Sequence, residues 1–375
     1  MSDALLTERS FADIIAQNGG RVFRVGGCVR DMYLGITPKD IDLCVVGMVK
    51  KNFKDIFPHA EDAGKSFPVF RLNIDGVKCE VAFARTERKV SSGHKGFKVS
   101  SKPKITIEED LYRRDLTVNS IAIDSLTGRV IDPYNGIKDI KDRVLRATSP
   151  HFIEDPVRAL RVAGQSARLD FHIDKETLEM AKKVADELDA EPVERVFAEF
   201  SKVLLEANQP SGFFKALLAM ELLEITFPEI AELDSEHFNK TMVNLDAVAK
   251  VTANPKLRFV AMGLVIGEEQ LSRWNKRMTL PGGWLEATAA AIKAIELLKL
   301  PSPENLVSSI YSLSRGSLNV EEFDTVAEGI GISLPSLTFL KAKMHQMADG
   351  TFPKTLKGKE LGEWLRRKHI ELIAE

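Results

Sequence analysis

The hydrophobic pattern of this chain changes period once, near Arg146, and that change limits the possible folds more than any other feature of the sequence. Before it, short runs rich in Val, Ile and Phe at 22–25, 41–46, 69–74 and 77–83 alternate with helical segments, which predicts strands in a mixed α/β domain. The Asp75-Gly76 pair between the last two runs suits a tight hairpin turn. After Arg146, apolar residues recur at three and four almost throughout, as in "DKETLEMAKKVADELDAEPVERVFAEFSKVLLEA", so the remainder is expected to be all-helical. Pro150, Pro192, Pro210, Pro228, Pro281 and Pro301 fall between periodic segments and mark helix starts or turns. The fold class that follows is α+β, and 375 residues are too many for one small core, so two to four domains or lobes are expected.

Composition mainly excludes. No apolar run approaches the roughly 18 to 20 residues a membrane span needs, and "MSDALLTERS" carries acids where a signal peptide has an apolar core, so a cytoplasmic protein with no membrane partner is expected. Cys28, Cys44 and Cys79 are odd in number, widely spaced and set among apolar residues, which reads as reduced, buried thiols. A formal charge of −2 argues against coating nucleic acid by bulk attraction, but "RTERKVSSGHKGFKVSSKPK" at 85–104 holds seven Lys and Arg against one acid. It has no helical period and reads as a mobile basic loop, either a solvated linker or a flap over phosphates.

Gly26 and Gly27 follow the first strand and open a helical segment that carries Arg30; bare backbone there lets phosphate approach, although two glycines alone make only a tight turn. The next strand carries Asp40-Ile41-Asp42. Strand side chains alternate, so the two aspartates share a face about 7 Å apart, while Ile41 packs inward. Such a pair repels itself unless a cation lies between, and hard Mg²⁺ prefers these oxygen ligands, as two-metal phosphoryl transfer requires. Two solvated acids at a strand end are the alternative. Glu80, on the strand "KCEVAFA", is a candidate third catalytic carboxylate or a plain edge-strand acid.

Two further clusters could read a nucleotide. In "EEDLYRRDLTVNSIAI", Asp115 and Asn119 lie four apart and can face a ribose from one helical turn, with Arg114 as a planar fork for phosphate; an intrahelical salt-bridge cluster is the alternative. In "IEDPVRALRVAGQSARL", Val157, Leu160 and Ala163 or Gly164 form an apolar stripe, with Asp155, Arg158 and Arg161 on the opposite face. An Asp beside an Arg offers an acceptor and a donor that match cytosine and adenine but not uracil and guanine. An ordinary helix ion pair has the same spacing.

These segments occur together and in order, and on them the chain resembles the class II tRNA nucleotidyltransferases, the CCA-adding enzymes of the polymerase-β superfamily. "GGCVRDMYLG" with "KDIDL" looks like their first motif, "RRDLTVNSIA" their second, "DPYNGIKDIKDRVLR" the connecting motif, "EDPVRALRVA" the nucleotide template and "ERVFAE" the last; "FARTERK" and "TIEEDL" also follow the bacterial pattern. The resemblance covers roughly the first 230 residues. It implies that Asp40 and Asp42 bind metal, with Mg²⁺ as cofactor, and that Gly26, Gly27 and Arg30 belong to the nucleotide site. It implies further that Arg114 holds phosphate, Asp115 and Asn119 the ribose, and Asp155 with Arg158 the base edge, supported by Glu154, Arg161, Arg195 and Glu199. The implied partners are tRNA, CTP and ATP, with addition of C, C and A without a nucleic-acid template. The implied domains are a seahorse-like series of catalytic head (1–146), neck (147–207), body (208–300) and tRNA-binding tail (301–375).

Leu116, Val118 and Ser120 depart from the family's usual Phe, Ile and Ala and touch packing rather than chemistry. In "LRFVAMGLVIGE", Leu264 and Val265 stand where one bacterial subgroup carries a metal-binding His-Asp pair, and none of the seven histidines is followed by Asp, so no phosphohydrolase activity of that type is expected. Within the same class, poly(A) polymerase and CC- or A-adding enzymes remain open. A non-catalytic RNA-binding module is the different-class alternative, and a Rossmann-type binder lacks the glycine fingerprint. The basic tail helix with Arg366, Arg367 and Lys368 suits either an RNA contact or a solvated face. Oligomeric state is not legible.

Overall fold

The computed structural model describes residues 6–63, 69–89, 97–346, 353 and 355–375. Its contacts divide the chain into two compact units, Met1–Glu191 with Ala216–Leu222, and Pro192–Lys215 with Leu223–Glu375.

The first unit is built on a seven-stranded sheet. In chain order its strands are β1 (Arg21–Val25), β2 (Ile41–Val46), β3 (Glu61–Asp62), β4 (Val69–Ile74), β5 (Val77–Phe83), β8 (Ala122–Asp124) and β9 (Val130–Ile131), and they lie in the order β3-β4-β5-β2-β1-β8-β9. Four of the strand runs expected from the sequence are therefore present at, or within one residue of, their expected bounds. The β4–β5 turn is the expected hairpin, with Asp75 and Gly76 both at positive φ, 54° and 77°. The pairing of β2 with β5 is parallel and sets Asp42 opposite Glu80. Glu80 thus stands on an interior strand between β4 and β2, so the edge-strand alternative for it falls.

Helices cover both faces of the sheet, and the period of two decides which residues go where. Leu43 and Val45 join Phe11 and Ile15 of α1 (Glu8–Gln17) and Phe53 of the helix after α2 (Gly27–Tyr33), namely α3 (Lys50–Ile56), in one apolar cluster. Cys44, on the other face with Asp42, packs with Ile107 and Leu111 of α4 (Ile107–Tyr112). A capping box starts α4: Thr106 Oγ1 accepts from Glu109 N at 3.2 Å, and Glu109 Oε2 accepts from Thr106 N at 2.8 Å, worth about 1 kcal/mol. All three cysteines are buried and unpaired, as expected.

The structure departs from the sequence expectation in two places. Residues 85–104 are not a structureless loop throughout: β6 (Thr86–Lys89) and β7 (Phe97–Ser100) pair antiparallel as a separate two-stranded ribbon. β-rich alternation was missed because basic residues interrupt it; 90–96, including Lys95, lie outside the described residues. The chain after Arg146 is also not purely helical. β10 (Val144–Leu145) pairs in parallel with β11 (His172–Ile173), two residues each and too short to register as a period.

The connecting segment forms α5 (Gly136–Asp142), which braces the 3₁₀ turn Thr117–Asn119. A Cβ on Gly136 would lie 2.2 Å from Thr117 O, so only glycine permits this approach, and Thr117 Oγ1 donates to Asp139 Oδ2 at 2.7 Å. After β10, α6 (Val157–Leu169) completes the elements of this unit that bear on the site.

The second unit is helical. Phe200, Phe213, Phe214, Phe227 and Trp274 are fully buried and stack on one another with centroids 5.2–6.2 Å apart. Buried Arg258 donates to the carbonyls of Leu204, Ala207, Ala249 and Thr252 at 2.8–3.0 Å, satisfying acceptors at two helix C-termini. The expected proline positions hold, with Pro192 as the N-cap of Val193–Glu206 and Pro228 opening its own helix. Leu264 is the C-cap of Pro255–Gly263, and the tail forms the helix Gly358–Ala374, where Arg366 donates to Ser308 Oγ at 2.6 Å. No helix among the described residues is long and apolar enough to cross a membrane.

Candidate active site

The acidic end of β2 faces the side of the sheet that α4 covers. Asp40 is exposed just before the strand begins, and Asp42 is half-buried within it. Burial raises the Asp42 carboxyl above the ordinary carboxylate range; the Arg114 charge opposes this, and Glu80 and Asp40 add to it. The cluster is short of positive charge. Glu80 accepts from Arg71 Nε and Nη2 at 3.0 and 2.9 Å on the neighbouring β4, and among the described residues no group of three or more His, Cys, Asp or Glu forms a ready cation cage. The pair Asp40 and Asp42 nevertheless fits a divalent cation, because a half-buried carboxylate raised by desolvation and by two like charges is relieved by one.

Gly26 completes this corner. It holds φ 76° and ψ −141° at the start of α2, and a Cβ there would meet Arg114 Nη1 at 3.1 Å and Asp42 Oδ2 at 3.5 Å. Glycine therefore keeps open a small space between an acid and a guanidinium. Gly27 adjoins it, with the Arg30 guanidinium 3.5 Å from where its Cβ would stand.

Arg114 itself is held by a residue the sequence reading did not single out. Asp110, 1% exposed, accepts from Arg113 Nε and Nη2 on Oδ1 at 3.1 and 2.7 Å, and from Arg114 Nε and Nη2 on Oδ2 at 3.2 and 3.0 Å. Although burial opposes its ionisation, the charges of Arg113 and Arg114 hold its carboxyl below the usual range. The (i, i+3) and (i, i+4) spacing to two arginines was the available signal. Arg113 also donates to Glu87 Oε1 at 3.1 Å, and Arg85 pairs with the same carboxylate at 2.7 Å. Arg85, expected in a solvated linker or a phosphate flap, is thus mostly buried in an ion-pair cluster.

Beyond Arg114 the second motif and α6 build a connected polar network. Asp115 Oδ1 accepts from Leu116 N at 2.9 Å and Asn119 Nδ2 at 3.2 Å, while Oδ2 lies 3.0 Å from Arg161 Nη2. Burial opposes ionisation of Asp115, but Arg161 and Arg158 outweigh it and lower its pKa. The expected meeting of Asp115 and Asn119 on a helical turn is present, on a 3₁₀ turn. Asn119 Oδ1 accepts from Arg30 Nη1 at 2.9 Å, and Gln165, a second residue not singled out beforehand, accepts from Arg30 at 3.2 Å and Asn119 at 3.3 Å. Arg30 also donates to Asp31 Oδ1 from Nε and Nη2 at 2.9 and 2.6 Å, so its donors are spent on orienting neighbours.

The expected division of α6 into an apolar stripe and a polar face requires correction. Arg158 is buried, because its Nη1 and Nη2 donate to the carbonyls of His151 and Arg113 at 2.6 and 2.7 Å. Backbone acceptors, invisible to a side-chain wheel, draw it inward. Two of its five N–H groups are used on these contacts. Burial lowers the Arg158 pKa, with the charges of Asp115 and Asp155 opposing. Asp155 precedes α6, half-buried, and Glu154 pairs with His151 at 2.9 Å. Arg195 and Glu199 lie in the second unit on Val193–Glu206, where Lys202 donates to buried Glu199 at 2.8 Å.

A mixed sheet whose acidic strand end meets a glycine turn and a half-buried arginine defines a fold of the poly(A) polymerase head type: residues 22–146 match the model described as "Poly A polymerase head domain", and 170–233 that described as "Probable RNA and SrmB- binding site of polymerase A". Within that class, the chain belongs to the family of the CCA-adding enzymes. It is 39% identical over 274 residues to a CCA-adding enzyme of Coxiella burnetii, covering 71% of this chain and 69% of that one. It is 41% identical over 269 residues to a multifunctional CCA protein of Methylococcus capsulatus, covering 66% and 61%. The chain thus spans 61% and 69% of the length of these two curated relatives. Among solved structures, the Thermotoga maritima CCA-adding enzyme complexed with tRNA shares the fold, with TM-score 0.72 over 98% of this chain and 91% of that one at 23% identity.

Proposed function

We propose that this chain is a Mg²⁺-dependent tRNA nucleotidyltransferase that adds C, C and A from CTP and ATP to a tRNA 3′ end. The observation that carries the reading is the corner at Gly26, where a carboxylate and a guanidinium flank a space that only glycine leaves open. A triphosphate requires these parts: acids for its metal, an arginine for its oxygens and bare backbone between them. The RNA 3′-hydroxyl attacks the α-phosphate, the bond to the β-phosphate breaks and pyrophosphate leaves. Asp40 and Asp42 would hold Mg²⁺, which when bound supplies an activated attacking hydroxyl and charge neutralisation of the triphosphate. Glu80 adds a third carboxylate beside them, tempered by Arg71. Arg114 binds phosphate, Asp115 and Asn119 read the ribose with Arg30 one step behind, and Asp155 and Arg158 read the base edge with support from Glu154 and Arg161. The names of the relatives, and tRNA in the complex of one structural neighbour, support tRNA as the partner.

A test gives the purified protein a tRNA lacking its 3′ end, with labelled CTP and ATP separately and together and with Mg²⁺ or EDTA. Growth by three nucleotides ending in A is expected, abolished by EDTA. Unlimited addition of A would instead identify a poly(A) polymerase, arrest after two C residues a CC-adding enzyme, and tRNA binding without growth a non-catalytic module.

A further inference from the structure

We propose that Gln165 is a positioning residue for ribose selection, holding Asn119 so that Asp115 keeps one carboxylate oxygen for a sugar hydroxyl. This rests on the reading of Asp115 and Asn119 as the ribose site. Gln165 is 3% exposed and lies on α6 one turn after Arg161. Arginine can only donate, so the atoms of Gln165 and Asn119 that face Arg30 Nη1, at 3.2 and 2.9 Å, must be their carbonyl oxygens. Both amide orientations are thereby fixed by chemistry. Asn119 Nδ2 is left to bridge Gln165 Oε1 and Asp115 Oδ1. With Leu116 N also on Oδ1, the other oxygen, Oδ2, stays buried beside Arg161 and accepts no aligned hydrogen bond among the described residues. A buried acceptor in that state favours a ligand that brings one donor, which a ribonucleotide's 2′-hydroxyl does and a deoxyribonucleotide does not.

Without the Gln165 oxygen, Asn119 loses one of the two acceptors of its Nδ2 and is held by Arg30 and Asp115 alone, which loosens the aim of Asp115. The chain's preference for CTP over dCTP, as the ratio of kcat/KM values, is measured for the wild type and for Gln165→Met, Gln165→Asn and Gln165→Glu, along with tRNA affinity and Tm. Gln165→Glu keeps an acceptor for both donors and should retain the preference. Gln165→Met removes the acceptor and Gln165→Asn withdraws it by one methylene; each should cut the preference by about tenfold, the scale of one net hydrogen bond. The loss should come through kcat/KM for CTP, with tRNA affinity unchanged. An active wild type whose preference survives both Gln165→Met and Gln165→Asn would overturn this inference alone, as would equal losses with CTP and dCTP. A wild type inert with both nucleotides would overturn the ribose reading and the inference with it.

Discussion

Two acidic regions of the first unit sit side by side and are built oppositely. At the end of β2, Asp42 is half-buried next to Glu80 and Asp40 with Arg114 as its main counter-charge, and its carboxyl is raised. One motif later, Asp110 and Asp115 are more deeply buried, yet each faces two arginines and is held below the ordinary range. Burial acts the same way on all three; the balance of neighbouring charges decides the sign. In the first region desolvation and like charges prevail, whereas the second is already neutralised by its own side chains.

The largest effect should come from breaking the first region. Asp42→Asn is expected to lower nucleotide incorporation by at least about a thousandfold, the order lost with a group that stabilises transition-state charge, while a gel shift still detects bound tRNA. Incorporation within tenfold of wild type would remove Asp42 from the chemistry. Next in size, Asp110→Asn leaves Arg113 and Arg114 buried without their shared carboxylate, and breaking such a pair costs roughly 3–5 kcal/mol. Thermal unfolding should drop accordingly, and activity with it even at a temperature where the variant is folded; an unchanged Tm would mean that Glu87 and Asp42 suffice as partners.

The smallest effect sharpens the contrast through pH. Asp42 has a raised folded pKa, so its ionised form costs stability above that value, and the cost disappears as pH falls through it toward the ordinary value near 3.9. For Asp110 and Asp115, with lowered folded values, the stabilisation is present above about 3.9 and is lost as pH falls through their folded pKa values. Asp42→Asn should therefore melt above wild type at pH 7 without metal, and the gain should vanish on acidification. Adding millimolar Mg²⁺ should raise the Tm of the wild type but not of this variant. A variant no more stable than wild type at pH 7 would show that Arg114 already balances the site.

The network was less legible than the acid pair because its partners are far apart in sequence. Asp40 and Asp42 announce themselves by strand alternation, and Asp115 and Asn119 by helical spacing. Gln165 lies 46 positions from Asn119 and 135 from Arg30 along the chain, and alone it reads as one more polar residue on a helix. Arg158 was placed on the wrong side of α6 because a helical wheel counts side chains, while its partners are the backbone carbonyls of His151 and Arg113. The β6–β7 ribbon escaped notice since its four-residue strands are broken up by charge.

Local period and turn chemistry set the switch from strand to helix near Arg146, the four main strands and the hairpin at Asp75-Gly76, so these are legible in the chain alone. The folded chain alone places Glu80 beside Asp42 rather than on an edge, sets Asp110 against two arginines, and lets Arg30 fix the orientation of Asn119 and Gln165. Those outcomes depend on strand order and on which charges share a desolvated volume, and a pairwise interaction between distant segments leaves no periodic trace in the chain.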